Sequence, residues 1–496
     1  MMPLFLLFVA WQVRLSQAHA PRPPRPLGGS DAVFSFVNHT ERLLGRGKQG
    51  ATAATWTFTA QRLEVLTNGD YLVYGLERGE WLNAGTSALQ IRADRAKVEQ
   101  RTHDIAAQGN IVATSARGLN FRCQQAFWFE GDGKLFVPKL ESFEWRDAQT
   151  PAKPGTQAAP PANVQTTRLF YWPAQQRLDL PDPLTATQGE DSLRAAAGSA
   201  LIDRGELQLA GPATLAAALP VGAADGDMSG PRKKVQLACG NGGVLAYDRR
   251  TGAGTAQGQV TADLPTDGAR LACDRLTFSG RATRILEATG HVYLTNPTTQ
   301  MRADSGVVRA LSRQAEFTGH ADLVQRRPEG TVTLGAPHIT YLYADSVQRA
   351  SAWGGVKLDT GEATAQAPRL SADLRARRAQ LTGGVKLRTS PNAYGSGSGG
   401  GGGDELAQAR AKPVDLTAGR IDHHFAPGER FTEARDEPRF RQGDREGRAD
   451  RLRYEHDREI LTLLGNVRLW NRQGERARCG KLTYDLRNDE MKVEQP

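Results

Sequence analysis

Residues Ala449–Tyr484, ADRLRYEHDREILTLLGNVRLWNRQGERARCGKLTY, decide how the rest of the chain is read. Leu452 and Tyr454 alternate with Arg451 and Arg453, the period-2 pattern of a strand with one buried face. Asp457-Arg458 supplies a polar turn. Leu461, Leu463, Gly465, Val467 and Leu469 then fall on one face, with Thr462, Leu464, Asn466, Arg468 and Trp470 on the other. After a second turn at Asn471–Gly474, Leu482 and Tyr484 repeat Leu452 and Tyr454. The unit is strand, turn, long strand with a glycine in its apolar row, turn, strand.

Glycine inside a strand packs nothing and costs entropy, so it marks a bend, a bulge or a close backbone approach. Gly109, Gly258, Gly290, Gly319, Gly354, Gly383 and Gly465 each precede an apolar pair two and four residues on. These pairs are Ile111/Ala113, Val260/Ala262, Val292/Leu294, Ala321/Leu323, Val356/Leu358, Val385/Leu387 and Val467/Leu469. The alternation places each glycine in the inward row. From Gly258 to Gly383 the steps are 32, 29, 35 and 29 residues, a period that predicts a stacked β array.

Outward from this repeat, the 496 residues exceed one ordinary core, and 39% hydrophobic content with 53 glycines suits many short strands and turns. The formal charge of +9 favours an anionic or amphipathic partner. Nucleic acid is not the expected one: the arginines alternate with Asp and Glu, and no basic run is interleaved with aromatics. Cys123, Cys239, Cys273 and Cys479 lie far apart with no C-x-x-C, which predicts buried small residues and no metal site. A Cys239–Cys273 disulfide suits an oxidising compartment, and the spacing does not decide it.

Residues 1–20 read as a signal peptide or short membrane anchor: Met1–Val13 is apolar, and Ala18-His19-Ala20 resembles a cleavage site. A linker is expected over 21–50 and a first β domain over 51–146. A Pro/Ala-rich linker over 147–163 leads to β repeats over 164–390, and a Gly/Ser-rich linker over 391–413 to further repeats over 414–496. The glycine tract contains G-x-G-x-x-G without a strand-to-helix context, so no dinucleotide loop and no cofactor is expected.

Catalytic patterns are not found. No G-x-S-x-G or H-E-x-x-H occurs, and His423-His424 beside Asp422 would point to opposite faces of a strand. The acidic residues fall in turns or in the pairs Ala93-Asp94, Ala303-Asp304, Ala372-Asp373 and Ala449-Asp450, a carboxylate once per unit that reads as structural. The expectation is a protein that is not an enzyme.

Ala449–Tyr484, and again Cys273–Phe278 through Gly290–Leu294, resemble the OstA-like (LptA-type) periplasmic proteins of lipopolysaccharide transport. Trp56–Trp145 is similar to their LptC-type partner, through Phe58–Arg62, Ile91–Ala96, Gly109–Val112 and Phe121–Phe129. The resemblance implies an all-β chain of elongated, twisted, V-shaped jellyroll arrays of short antiparallel strands. It implies a periplasmic bridge toward the outer membrane, possessing an apolar groove for the acyl chains of lipopolysaccharide or a related anionic glycolipid. Implied partners are other β-jellyroll proteins of the same type stacked end to end, an inner-membrane ABC exporter and an outer-membrane assembly barrel. Groove residues on this reading are Leu461, Leu463, Val467, Leu469, Val292, Leu294, Val356, Leu358, Val385, Leu387 and Ile111, with bends at Gly109, Gly290, Gly319, Gly383 and Gly465. The alternative is an envelope scaffold with a filled interior that binds proteins only.

Overall fold

The computed structural model describes residues 32–44, 54–146, 160–220, 232–389 and 412–494. Short breaks fall at 249, 266–267, 281–284, 310, 328–329, 345–346, 427, 444, 471–473, 475, 487 and 489. The expected signal segment over 1–20 and the glycine tract over 394–404 lie outside the described residues. Among the described residues there are thirty-five strands, one 3-10 turn at Glu130–Asp132 and no α-helix. The fold is all-β and antiparallel. No helix among these residues is long and apolar enough to cross a membrane.

Two compact units divide the chain, Met1–Ala210 and Gly211–Pro496, so the repeats expected over 164–390 are split after Ala210. In the first, Ala54–Leu66, Tyr71–Asn83, Thr86–Val98, Ile105–Ser115 and Leu119–Phe129 follow one another, each bonded to the next. Ala32–Leu44, inside the stretch read as a 21–50 linker, is instead a strand paired with Ala54–Leu66. Trp56 and Trp128 stand four strands apart, about 19 Å across a flat sheet. Their rings nevertheless meet edge-on at 5.3 Å, so the sheet turns over on itself. The core it encloses, lined by Trp56, Phe58, Leu76, Ile91, Ala107 and Trp128, keeps a cavity of only about 10 Å³. That is barely room for one water.

In the second unit, ten strands from Ala253–Leu264 to Val414–His424 pair in sequence order. Val414–His424 then forks, its first half bonding Arg439–Gln442 and its second half Phe431–Arg435. Ile460–Trp470 rejoins the two branches by bonding both Arg445–Arg448 and Arg451–Glu455. Leu119–Phe129 forks in the same way in the first unit, onto Leu140–Trp145 and Lys134–Val137.

Neither proline- nor glycine-rich stretch separates two arrays. Arg378–Thr389 bonds directly to Val414–His424, and Leu140–Trp145 to Ala162–Gln165. Both tracts are therefore long insertions in hairpin connections, which loop entropy tolerates because its cost grows only with the logarithm of length.

Candidate functional site

Every repeat glycine marks a bulge. Gly465 has φ +73° and Asn466 +46°, two left-handed residues in succession, and the register slips by one between Leu464 and Val467. The same pair of positive φ values occurs at Gly109-Asn110, Gly258-Gln259, Gly290-His291, Gly319-His320, Gly354-Gly355 and Gly383-Gly384. Within each unit the bulges lie along a crease, and in the second they fall on alternate strands of it. The forks coincide with it: Pro138-Lys139 and Ala449-Asp450 are the breaks where a strand is cut into two.

The glycine does not take an inward slot. A Cβ on Gly465 would lie 2.3 Å from Oδ2 of Asp450, a residue of the adjoining stretch of the same sheet, not of a facing one. Asp450 in turn accepts a bond from Asn466 Nδ2 at 2.8 Å, and its own N–H donates to the carbonyls of Leu464 and Gly465. Asp94 does the same for Gly109 and Asn110, at 2.8 Å from Nδ2. Asp274 and Asp304 face Gly290 and Gly319, with His291 Nδ1 at 2.8 Å and His320 Nδ1 at 3.2 Å. The bond to Asp274 raises the His291 pKa. Three of the four Ala-Asp pairs found in the sequence are thus crease residues. Asp373, the fourth, instead accepts from Arg349 and from the Ala376 N–H in a turn.

Inside the crease of the second unit, Val260, Cys273, Val292, Ala303, Ala321, Ala336, Val356, Ala367, Val385 and Ala418 form one cross-strand row, all at most 6% exposed. Bulged strands contribute mostly valine and their neighbours mostly alanine, so large and small side chains interlock. Two residues farther along, Leu271, Leu294, Met301, Leu323, Leu334, Leu358, Ala365, Leu387 and Leu416 make a second row. Here Leu294, Leu323, Leu358 and Leu387 are half-buried. Leu463 belongs to the row on the opposite side of the crease, with Ile421, Ala434, Leu452 and Leu482. Val467 sits against Cys479, while Leu461 and Leu469 are half-buried. Ile111 lies in the first unit, buried opposite Cys123. All four cysteines are buried free thiols, and burial raises Cys123 to about 12 and Cys273 to about 11.

On the inner face at its edge, His423 Nδ1 lies 2.9 Å from Thr432 Oγ1, which lies 2.8 Å from His456 Nε2. Burial, with the neighbouring charges of His424 and Arg430, lowers His423 to about 4. Burial, with His423 and Arg430, lowers His456 likewise to about 4. Alternation puts His423 and His424 on opposite faces, but no local pattern joins His423 to His456, 33 residues away. On the outer face, Glu433 is enclosed by Arg435 and Arg451. Burial pushes its carboxyl up, and the two guanidinium groups outweigh that and hold it low. Among the described residues no group of three His, Cys, Asp or Glu side chains could hold a metal ion. The sequence matches no protein-family model and no curated protein sequence.

Proposed function

We propose that the inner face of the second unit carries the acyl chains of an anionic glycolipid of the lipopolysaccharide type, without catalysis. The observation that carries this reading is the row from Leu271 to Leu416. It crosses nine strands without a polar residue and leaves Leu294, Leu323, Leu358 and Leu387 only half-buried. At about 4.8 Å per strand it extends roughly 40 Å, and an apolar strip that long that keeps contact with water favours an amphipathic ligand. Arginines flanking the strands would meet phosphate groups as charge-assisted pairs.

On this reading the protein works in the periplasm as a bridge toward the outer membrane, tethered or exported by its N-terminal segment. An inner-membrane exporter and an outer-membrane assembly barrel stand as its partners. Stacking end to end on similar β proteins is favoured by the outermost strands. Ala32–Leu44 bonds Ala54–Leu66 and exposes Phe36 and Val37, while Glu490–Glu494 bonds Arg476–Asp485 and exposes Met491 and Val493. Such edges invite strand addition.

One observation favours the competing scaffold reading. Val356, Val385, Leu463 and Val467 are each 1% exposed, so the floor of the crease is filled by the chain itself. Lipid would have to enter at the half-buried leucines. We expect Leu358→Glu with Leu387→Glu to reduce binding of fluorescent lipopolysaccharide at least roughly tenfold, because a carboxylate among acyl chains is desolvated unpaired. Unchanged binding by the folded double variant would favour the scaffold.

A further inference from the structure

The crease follows one rule in four of the seven repeats; Gly258, backed by Gly243 and followed by Gln259, departs from it, and so do two adjacent repeats. Where the rule holds, an aspartate stands behind the glycine and an Asn or His follows it, as at Asp304/Gly319-His320 and Asp450/Gly465-Asn466. In the strands Gly330–Ala344, Val347–Asp359, Ala363–Asp373 and Arg378–Thr389 the aspartate is replaced by Pro337 and Pro368, and the Asn or His by Gly355 and Gly384. Both changes remove polar side chains from the outer side of the crease. A Cβ on Gly355 or Gly384 would meet nothing within 4 Å. What remains is an open concavity of about 520 Å³.

Its walls are cationic and aromatic. Lys357, Gln366 and Lys386 are consecutive partners in one cross-strand row, putting the two ammonium-bearing residues roughly 10 Å apart. Arg369 and Trp353 form the facing row. None of the lining residues is acidic, and Lys357, Arg369 and Lys386 make no ion pair with a carboxylate among the described residues. His338 stacks on Trp353 at 5.3 Å and 6°, which fixes the indole while it stays 37% exposed at the rim. Equivalent positions in other repeats carry Gln108, Gln257, Thr289, Thr318 and Thr382, so the aromatic is peculiar to this place.

We propose that this concavity binds an anionic saccharide, its ring lying against Trp353 over the glycine floor and its phosphate or carboxylate held by Lys357, Lys386 and Arg369. A floor without side chains beside an immobilised indole suits the flat C–H face of a sugar ring, and three unpaired cations supply charge-assisted bonds to its acid group. An acidic peptide fits less well. The strands around the concavity are all paired on both sides, so an extended peptide finds no sheet edge to join. The site lies on the outer face, apart from the leucine row, and does not depend on what that row carries.

The test is calorimetric titration of the full chain with four probes. A de-acylated, phosphorylated glucosamine disaccharide represents a lipid headgroup, and an oligogalacturonate represents a free acidic polysaccharide. Maltose and an oligo-glutamate are the neutral and peptide controls. We expect at least one anionic saccharide to bind roughly tenfold or more tightly than both controls, with affinity falling as salt rises. Which of the two binds identifies the source. Trp353→Ala should reduce that binding about tenfold, and Pro368→Asp, which restores the carboxylate of the other repeats, should do the same by repulsion. Pro368 is exposed, and Pro368→Asp serves if Trp353→Ala does not fold. Equal or tighter binding of oligo-glutamate, binding of neither anionic saccharide, or full affinity in the folded Pro368→Asp variant would overturn the proposal.

Discussion

At the scale of single residues, the crease is a partnership between a backbone conformation and a carboxylate. Gly465 adopts φ +73°, where any other L-residue is strained by about 1–2 kcal/mol. A methyl group there would also displace the Asp450 carboxylate from Asn466. Gly465→Ala should therefore lower the denaturant midpoint by the equivalent of about 1–2 kcal/mol. A rise in midpoint, the usual effect of removing backbone freedom from the unfolded chain, would contradict the bulge. Recurrence of the glycine was legible because it is a property of one strand. Its partner was not, because Asp450 acts across strands. The joining signal was present: Asp94, Asp274, Asp304, Pro337, Pro368 and Asp450 each precede a repeat glycine by 15 to 17 residues. Alternation likewise puts the glycine in the inward row, because a strict period of two cannot register the extra residue that a bulge inserts.

Among elements, the strands were legible from alternation, whereas the connections were not. Composition marks Tyr394–Asp404 and Asp147–Asn163 as linkers, yet composition carries no information on whether the flanking strands bond to each other. Here they do, and replacing residues 390–413 by six Gly/Ser residues should change stability by no more than about 1–1.5 kcal/mol, the loop-entropy gain for two halvings of length. Loss of cooperative unfolding in that variant would show that the tract contributes structure. The His423–Thr432–His456 chain joins two strands and the turn after a third through side chains and was invisible for the same reason as Asp450. Its consequence is a pH dependence. Both imidazoles have a folded pKa near 4, below the ordinary 6.5, so the unfolded state binds protons first. Their contribution is full above about pH 6.5 and is lost as pH falls toward 4, with a slope of at most about 1.4 kcal/mol per pH unit for each histidine. Urea midpoints between pH 7 and 4 should fall more steeply for the parent than for a His423→Gln/His456→Gln variant. Parallel slopes would place the acid sensitivity elsewhere.

Over the whole molecule, the all-β class followed from the repeat, and the expected groove residues divide by their depth. Val292, Val356, Val385, Leu463 and Val467 close the crease, and Leu294, Leu358, Leu387, Leu461 and Leu469 keep partial contact with solvent. A period-2 pattern tells inside from outside but not floor from rim, because depth is set by how the folded sheet covers its own face. The outer concavity at Trp353 was illegible for a related reason: it arises from two departures from the repeat, and a period shows only what its copies share. If the inner face carries acyl chains, adjacent residues on one strand must differ in what they touch. A photo-crosslinking amino acid placed in turn at Leu358, Lys357, Leu387 and Lys386, in full-length protein incubated with lipopolysaccharide, tests this with its own built-in control. We predict lipid adducts, identified by mass spectrometry, from Leu358 and Leu387, and at least roughly tenfold fewer acyl-chain adducts from Lys357 and Lys386, whose side chains leave the other face of the sheet. Acyl-chain adducts from the lysine positions alone, or none from any of the four, would contradict an inner face that carries lipid.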